Sequence, residues 1–245
     1  MKPETSKLVF YSINEFIPSR PCSIQSRMRR AWLSLLLTGV LISCSTAQKT
    51  SLNFNNLHAP DGFHVSEFAK VDAPRMLVFS PGGTLVVSDA ASGEVIALPD
   101  PTHSGKAARS VKVLDGLNEP HGIAFHEGKL YVAENNQVRA WDWNDANLKA
   151  ANPKHLADLP RGGGHSTRSI VINNGKMYVS AGSSCNVCIE KDPRRASVME
   201  FNLDGSGQRI FGKGLRNAVG LAINPKTNTV WADINGRDML GDDLP

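Results

Sequence analysis

The residue best suited to acid–base chemistry is His165. It follows Arg161-Gly-Gly-Gly, a stretch without bulk. Such a loop lets backbone approach a ligand closely and presents the imidazole outward. Near neutral pH a histidine is also the side chain best placed to accept a proton. Ser166 beside it has no G-x-S-x-G elbow around it, so a hydrolase triad is not expected. His58, His64, His103, His126 and His155 fall on segments that read as surface or turn. The pair Cys185-Asn-Val-Cys188 has no second Cys or His pair at ligand spacing to complete a zinc site. It also lacks the βαβ context of a thioredoxin-like redox motif. In an exported chain such a pair closes a disulfide, so the expectation rests on compartment.

Compartment is read from the first 44 residues, which hold six Lys/Arg against two Glu. Met28-Arg29-Arg30 is followed by an apolar run over Ala31–Ile42 and then by Ser43-Cys44. That is a charged n-region and a short h-region, shorter than the roughly 20 apolar residues of a membrane span. Leu41-Ile42-Ser43-Cys44 is similar to a bacterial lipobox, in which the Cys becomes the lipidated first residue. A plain secretory signal cut after Ala47 is the other reading. Either way the expectation is export to the periplasm or cell envelope. Residues 1–27 read as an over-extended start, 28–44 as the signal, 45–59 as a linker and 60–245 as the folded body.

The whole chain carries a formal charge of +4, from 27 Lys/Arg and 23 Asp/Glu. Without the first 44 residues the acidic and basic side chains balance at 21 each, so the body offers no electrostatic footprint for nucleic acid. With 41% hydrophobic and 20% charged residues it reads as ordinary globular protein, excluding disorder, collagen and a many-span membrane protein.

The elements that position these side chains come from a repeat. An apolar run, a polar turn and a second β-rich run begin at Arg75, His121, Arg168 and Val219, spaced 46, 47 and 51 residues apart. Each is a β-hairpin, and the spacing is the length of a four-stranded propeller blade. Third strands are expected at Glu94–Leu98, Val138–Trp143 and Ser197–Asn202. A β-sandwich does not explain a motif that returns at blade length. The fold class is therefore all-β, a β-propeller. In a propeller the innermost strands line a central channel. Residues at the aligned starts, Arg75, His121 and Arg168, and those three places earlier, Asp72, Asn118, His165 and Arg216, should ring one mouth of it. A mouth with that many cations suits an anionic small ligand. For any one Arg, an ion pair between blades is an equal alternative.

On Gly162-Gly-Gly-His-Ser-Thr-Arg, Gly182-Ser-Ser-Cys-Asn-Val-Cys, Asp192-Pro-Arg-Arg, Gly214-Leu-Arg-Asn, Asn235-Gly-Arg-Asp and Gly241-Asp-Asp-Leu-Pro, the chain resembles the soluble quinoprotein glucose/sorbosone dehydrogenases, with the sorbosone branch nearer. These are six-bladed propellers that hold pyrroloquinoline quinone and calcium. The resemblance implies that His165 is the general base and that Arg216 lies at the quinone as its catalytic partner. Asn217, with Arg168 and His121, would bind the cofactor, and the carbonyls of Gly236 and Arg237 would bind calcium. Arg237 stands where the glucose enzymes have Pro. A sugar substrate and an electron acceptor such as a cytochrome or quinone are implied. The quinone would carry the redox step and the protein would supply base, orientation and charge.

Two rivals remain: a calcium-dependent propeller lactonase, to which Asp72, Asn118 and Glu134 could contribute, and a non-catalytic cell-surface propeller. Four hairpins account for about three and a half blades. At the observed repeat two further blades need roughly 100 more residues. The sequence is thus expected to be the N-terminal part of a quinoprotein propeller, inactive by itself.

Overall fold

The computed structural model describes residues 8–10, 57 and 59–239, and among them the protein is all strand and loop. Leu8–Phe10 (β1) pairs in parallel with Val65–Glu67 (β2). The signal, Cys44 and residues 240–245 lie outside the described residues.

Three four-stranded antiparallel sheets follow in chain order. The first is β3 (Pro74–Phe79), β4 (Leu85–Asp89), β5 (Glu94–Leu98) and β6 (Val111–Leu114); the second is β7 (Gly122–His126), β8 (Lys129–Ala133), β9 (Gln137–Asn144) and β10 (Lys149–Asp158). The third is β11 (Ile170–Asn173), β12 (Lys176–Ala181), β13 (Ser197–Asn202) and β14 (Arg209–Lys213), and a hairpin of β15 (Ala218–Ile223) and β16 (Val230–Ile234) opens a fourth. The innermost strands β3, β7, β11 and β15 are neighbours in turn, as in a propeller.

The core lies between blades. Val86, Val95 and Ala97 of the first blade pack on Leu130, Val132, Trp141 and Trp143 of the second. Tyr131, Val138 and Ala140 of the second pack on Met177, Met199 and Phe201 of the third. Tyr178 and Val198 pack on Ala218, with Leu221 and Val230 at the edge. Each such large side chain contributes about 1.5–3 kcal/mol by leaving water. Middle strands are therefore buried on both faces, as in β4, where every residue is buried.

At the channel the blades are joined through carbonyls of the aligned hairpin starts. Ser88 Oγ donates to His121 O at 2.6 Å and Gly122 N donates to Arg168 O at 2.8 Å. Ser169 Oγ donates to Val219 O. One register position thus supplies the hydrogen bond at three successive junctions.

Candidate functional site

Residues 159–169 connect β10 to β11 and carry His165. Arg168 anchors this loop from beneath: it is wholly buried, Nη1 donating to the carbonyls of His165 (2.9 Å) and Thr167 (2.8 Å), and Nη2 to that of Pro160 (2.7 Å). Arg195, also buried, donates to the carbonyls of Arg161, Gly162 and Gly182. The glycines serve this packing. A Cβ on Gly163, whose φ is +88°, would lie 2.8 Å from Ser184 Cα and 2.9 Å from Arg195 Nη1. The close approach at Gly163 is made toward the loop carrying Cys185, whereas a Cβ on Gly162 would meet nothing within 4 Å.

The half-buried imidazole of His165 has Nδ1 2.9 Å from Ser183 O and 3.0 Å from Ser183 Oγ. A carbonyl only accepts, and Ser183 Oγ spends its own proton on Cys185 O at 2.6 Å. Nδ1 therefore carries the ring proton and Nε2 is the free acceptor of the neutral ring. Gly182 brings a partner alongside: a Cβ there would lie 2.5 Å from His165 Cβ and 2.6 Å from Asn217 Oδ1. Asn217 is 7% exposed and its Oδ1 is buried with no hydrogen-bond partner. A buried amide oxygen left unpaired is costly.

Arg216, next in the chain, spends all five of its N–H groups. Nε donates to Asn186 O (2.9 Å), and Nη2 donates to Asn186 Oδ1 and Asp238 Oδ2 (both 2.8 Å). Nη1 donates to the carbonyls of Asn235 and Gly236. Gly236 and Arg237 are exposed. The Gly236 oxygen, expected as a calcium ligand, is thus already an acceptor for a cation of this chain. Among the described residues no group of three His, Cys, Asp or Glu could hold a metal. Cys185 and Cys188 are joined by a disulfide with Cα atoms 6.0 Å apart.

The cationic mouth needs correction. Arg168 is buried, with Nη1 and Nη2 on carbonyls of the loop and Nε without a partner, and burial with the nearby Arg195 lowers its pKa to about 10. His121 is 6% exposed, with Nδ1 3.1 Å from Arg168 O, so Nδ1 donates. Burial, then the charge of Arg75, pushes its pKa down to about 4, so it is neutral at pH 7. His121 therefore offers no cation to a carboxylate. Arg75, Glu119, His121, Ser166 and Thr167, with Ala73, Ala90 and Ala91, line an open hollow of about 340 Å³. Glu134, fully buried, accepts from Asn118 N and Arg139 Nε and so braces the second blade.

The family model described as TrAA12-like matches residues 57–243. The chain belongs to the TrAA12-like family. A pyrroloquinoline quinone-dependent sugar dehydrogenase of Hypocrea jecorina is 25% identical over 247 residues, spanning 88% of this chain and 56% of that protein. An uncharacterized protein of Borreliella burgdorferi is 25% identical over 237 residues, spanning 91% of this chain and 60% of that one. Among solved structures, the holo form of the pyranose dehydrogenase PQQ domain from Coprinopsis cinerea has a TM-score of 0.60 at 22% identity, covering 67% of this chain and 44% of that chain. The calcium structure of Trichoderma reesei Carbohydrate-Active Enzymes Family AA12 has a TM-score of 0.60 at 23% identity, covering 68% and 46%. These likenesses establish the propeller fold. The chain spans about half to three fifths of the length of these relatives.

Within this TrAA12-like chain the residues that hold His165 and Arg216 were invisible as such in the sequence. Ser183 and Asn186 sat inside a motif noticed for its cysteines, and Arg195 inside Asp192-Pro-Arg-Arg. Their signal is a main-chain contact, which residue type does not announce.

Proposed function

We propose that this TrAA12-like protein oxidises a sugar of the aldose or sorbosone type, with His165 as the base. The observation that carries the reading is the contact of His165 Nδ1 with Ser183 O at 2.9 Å, which assigns the ring proton to Nδ1 and leaves Nε2 as the acceptor. His165 Nε2 takes the sugar's hydroxyl proton as the adjacent C–H bond breaks with its electron pair. Once protonated, the imidazolium keeps its Nδ1 donor bond to Ser183 O, so the ring need not turn between steps.

Pyrroloquinoline quinone fits on one structural count, the unpartnered Asn217 Oδ1 next to His165. When bound, the quinone supplies the two-electron acceptor that receives the hydride. Asn217 Oδ1 would accept a hydrogen bond from it, and Arg216, paired with Asp238 and held by four further acceptors of the chain, would border it as the resemblance implies. Calcium would be held by the carbonyls of Gly236 and Arg237; the Gly236 oxygen accepts from Arg216 and keeps its second lone pair. No step is assigned to calcium. A cytochrome or a quinone would then take up the electrons. A lactonase reading is not favoured, since Glu134 is committed to Asn118 N and Arg139.

We further propose that the protein is exported and lipid-anchored at Cys44, as its lipobox-like tetrad suggests; the mass of the mature N-terminus checks this. For the reaction, dye reduction with added quinone and sugar by the protein purified from the cells that make it is expected to fall at least about 100-fold in His165→Ala, the lower range for loss of a general base. Unchanged turnover would remove His165 from the chemistry.

A further inference from the structure

The loop closed by Cys185–Cys188 touches both halves of the site. In the same β12–β13 loop, two residues before the disulfide, Ser183 holds the base: its O and Oγ face His165 Nδ1, and its N donates to Arg216 O at 2.7 Å. The centre of the loop holds the guanidinium. Asn186 presents two acceptors on one edge of Arg216, its main-chain oxygen to Nε and its side-chain oxygen to Nη2. The same side-chain oxygen accepts Asp238 N at 2.8 Å, and Asn186 Nδ2 donates to Asp238 O at 3.2 Å. Glu190 Oε1 accepts Ser184 N at 2.7 Å and so ties the far end of the loop to its beginning. A guanidinium is planar, and two acceptors on one residue fix that plane as a bidentate carboxylate would.

We infer that Asn186 is a positioning residue: carried on the disulfide-closed loop, it sets the plane of Arg216, while Ser183 of the same loop sets the tautomer of His165. The inference rests on the proposed roles of Arg216 and His165, and deepens them by naming what aligns the two. Asn186 touches neither a substrate nor a reacting atom in this scheme. The disulfide closes a loop whose tip, Val187 at 68% and Ile189 at 99% exposure, has no packing to hold it. The covalent link and the hydrogen bonds of Asn186 and Glu190 hold the loop where apolar packing does not.

The 245-residue chain labelled with ¹⁵N-arginine, without quinone or sugar, tests this directly. Arg216 Nη protons are expected to give distinct, slowly exchanging signals. In Asn186→Ala their exchange is expected to rise at least about tenfold, the ratio that corresponds to about 1.4 kcal/mol, while the Nη1 signal of Arg168 is unchanged. Asn186→Asp, which keeps both acceptor oxygens, is expected to restore slow exchange. The double variant Cys185→Ser/Cys188→Ser should lose it as Asn186→Ala does. If Arg216 exchange is unchanged in Asn186→Ala, or rises equally at Arg168, or is not rescued by Asp, the positioning role is overturned. A quinone titration separates the two levels. Loss of Arg216 protection in Asn186→Ala, with no quinone binding by the protein purified from the cells that make it, upholds the positioning of Arg216 and removes the functional reading above it.

Discussion

The proton on His165 is placed by a main-chain carbonyl, and two residues without reactive groups make that possible. Ser183 supplies the acceptor, and Gly182 supplies the space in which His165 and Asn217 meet. In Gly182→Ala the new Cβ would overlap His165 Cβ at 2.5 Å and Asn217 Oδ1 at 2.6 Å. The expected cost is about 1–3 kcal/mol of stability, as for other overpacked sites, and a larger loss of turnover because both groups move together. Urea unfolding and dye reduction on the same samples check this; equal activity in the variant would show that the two groups are not held by contact. His121 gives a pH signature of its own. Its folded pKa of about 4 lies below the ordinary 6.5, so above 6.5 the ring is neutral in both states and contributes nothing. As pH falls below that value the unfolded chain binds a proton that the folded chain refuses, and stability is lost until about pH 4. The expected loss is about 3 kcal/mol. His121→Asn should flatten this part of the profile when urea unfolding is compared at pH 7 and pH 4.5. An identical pH dependence in the variant would refute the buried neutral ring. His165 was legible because its type and the glycines before it are visible in the chain. The mouth was not, because Arg168 and His121 occupy the right register but turn inward to satisfy carbonyls, and a register does not say which way a long side chain goes.

At the scale of the element, the inner hairpins and third strands were readable from apolar runs and turn chemistry. Glu94–Leu98 and Ser197–Asn202 match β5 and β13 residue for residue. The outer strands were not readable. β10 is ten residues long, mostly exposed, contains Pro153 and is broken by two register shifts against β9. It therefore shows neither alternation nor an apolar run. The hairpin starts proved to matter through their carbonyls, which join successive blades. Gly122 is the tightest of these joints, since a Cβ there would lie 2.5 Å from Arg168 O and 2.7 Å from Ile170 N, both main-chain atoms. Backbone on both sides cannot yield without parting the second and third blades. Gly122→Ala is expected to lower stability by about 2–4 kcal/mol, an overpacking cost plus a strained buried hydrogen bond. Thermal unfolding checks this, and a Tm within a degree of the unaltered chain would mean that the joint has slack.

Over the whole molecule, the arc of blades brings together loops far apart in sequence, from residue 160 to residue 238, at one end of the channel. Fold and family follow from the blade-length repeat and the TrAA12-like match, whereas the activity is a proposal whose weight falls on one nitrogen atom. The measurement that bears on it most directly uses the protein purified from the cells that make it. Reconstituted with pyrroloquinoline quinone, it is assayed for dye reduction with aldoses and with sorbosone, beside His165→Ala. The account predicts sugar-dependent reduction whose rate falls at least about 100-fold in the variant, with quinone binding retained. Quinone binding without reduction by any sugar, or equal rates in the two proteins, would contradict it.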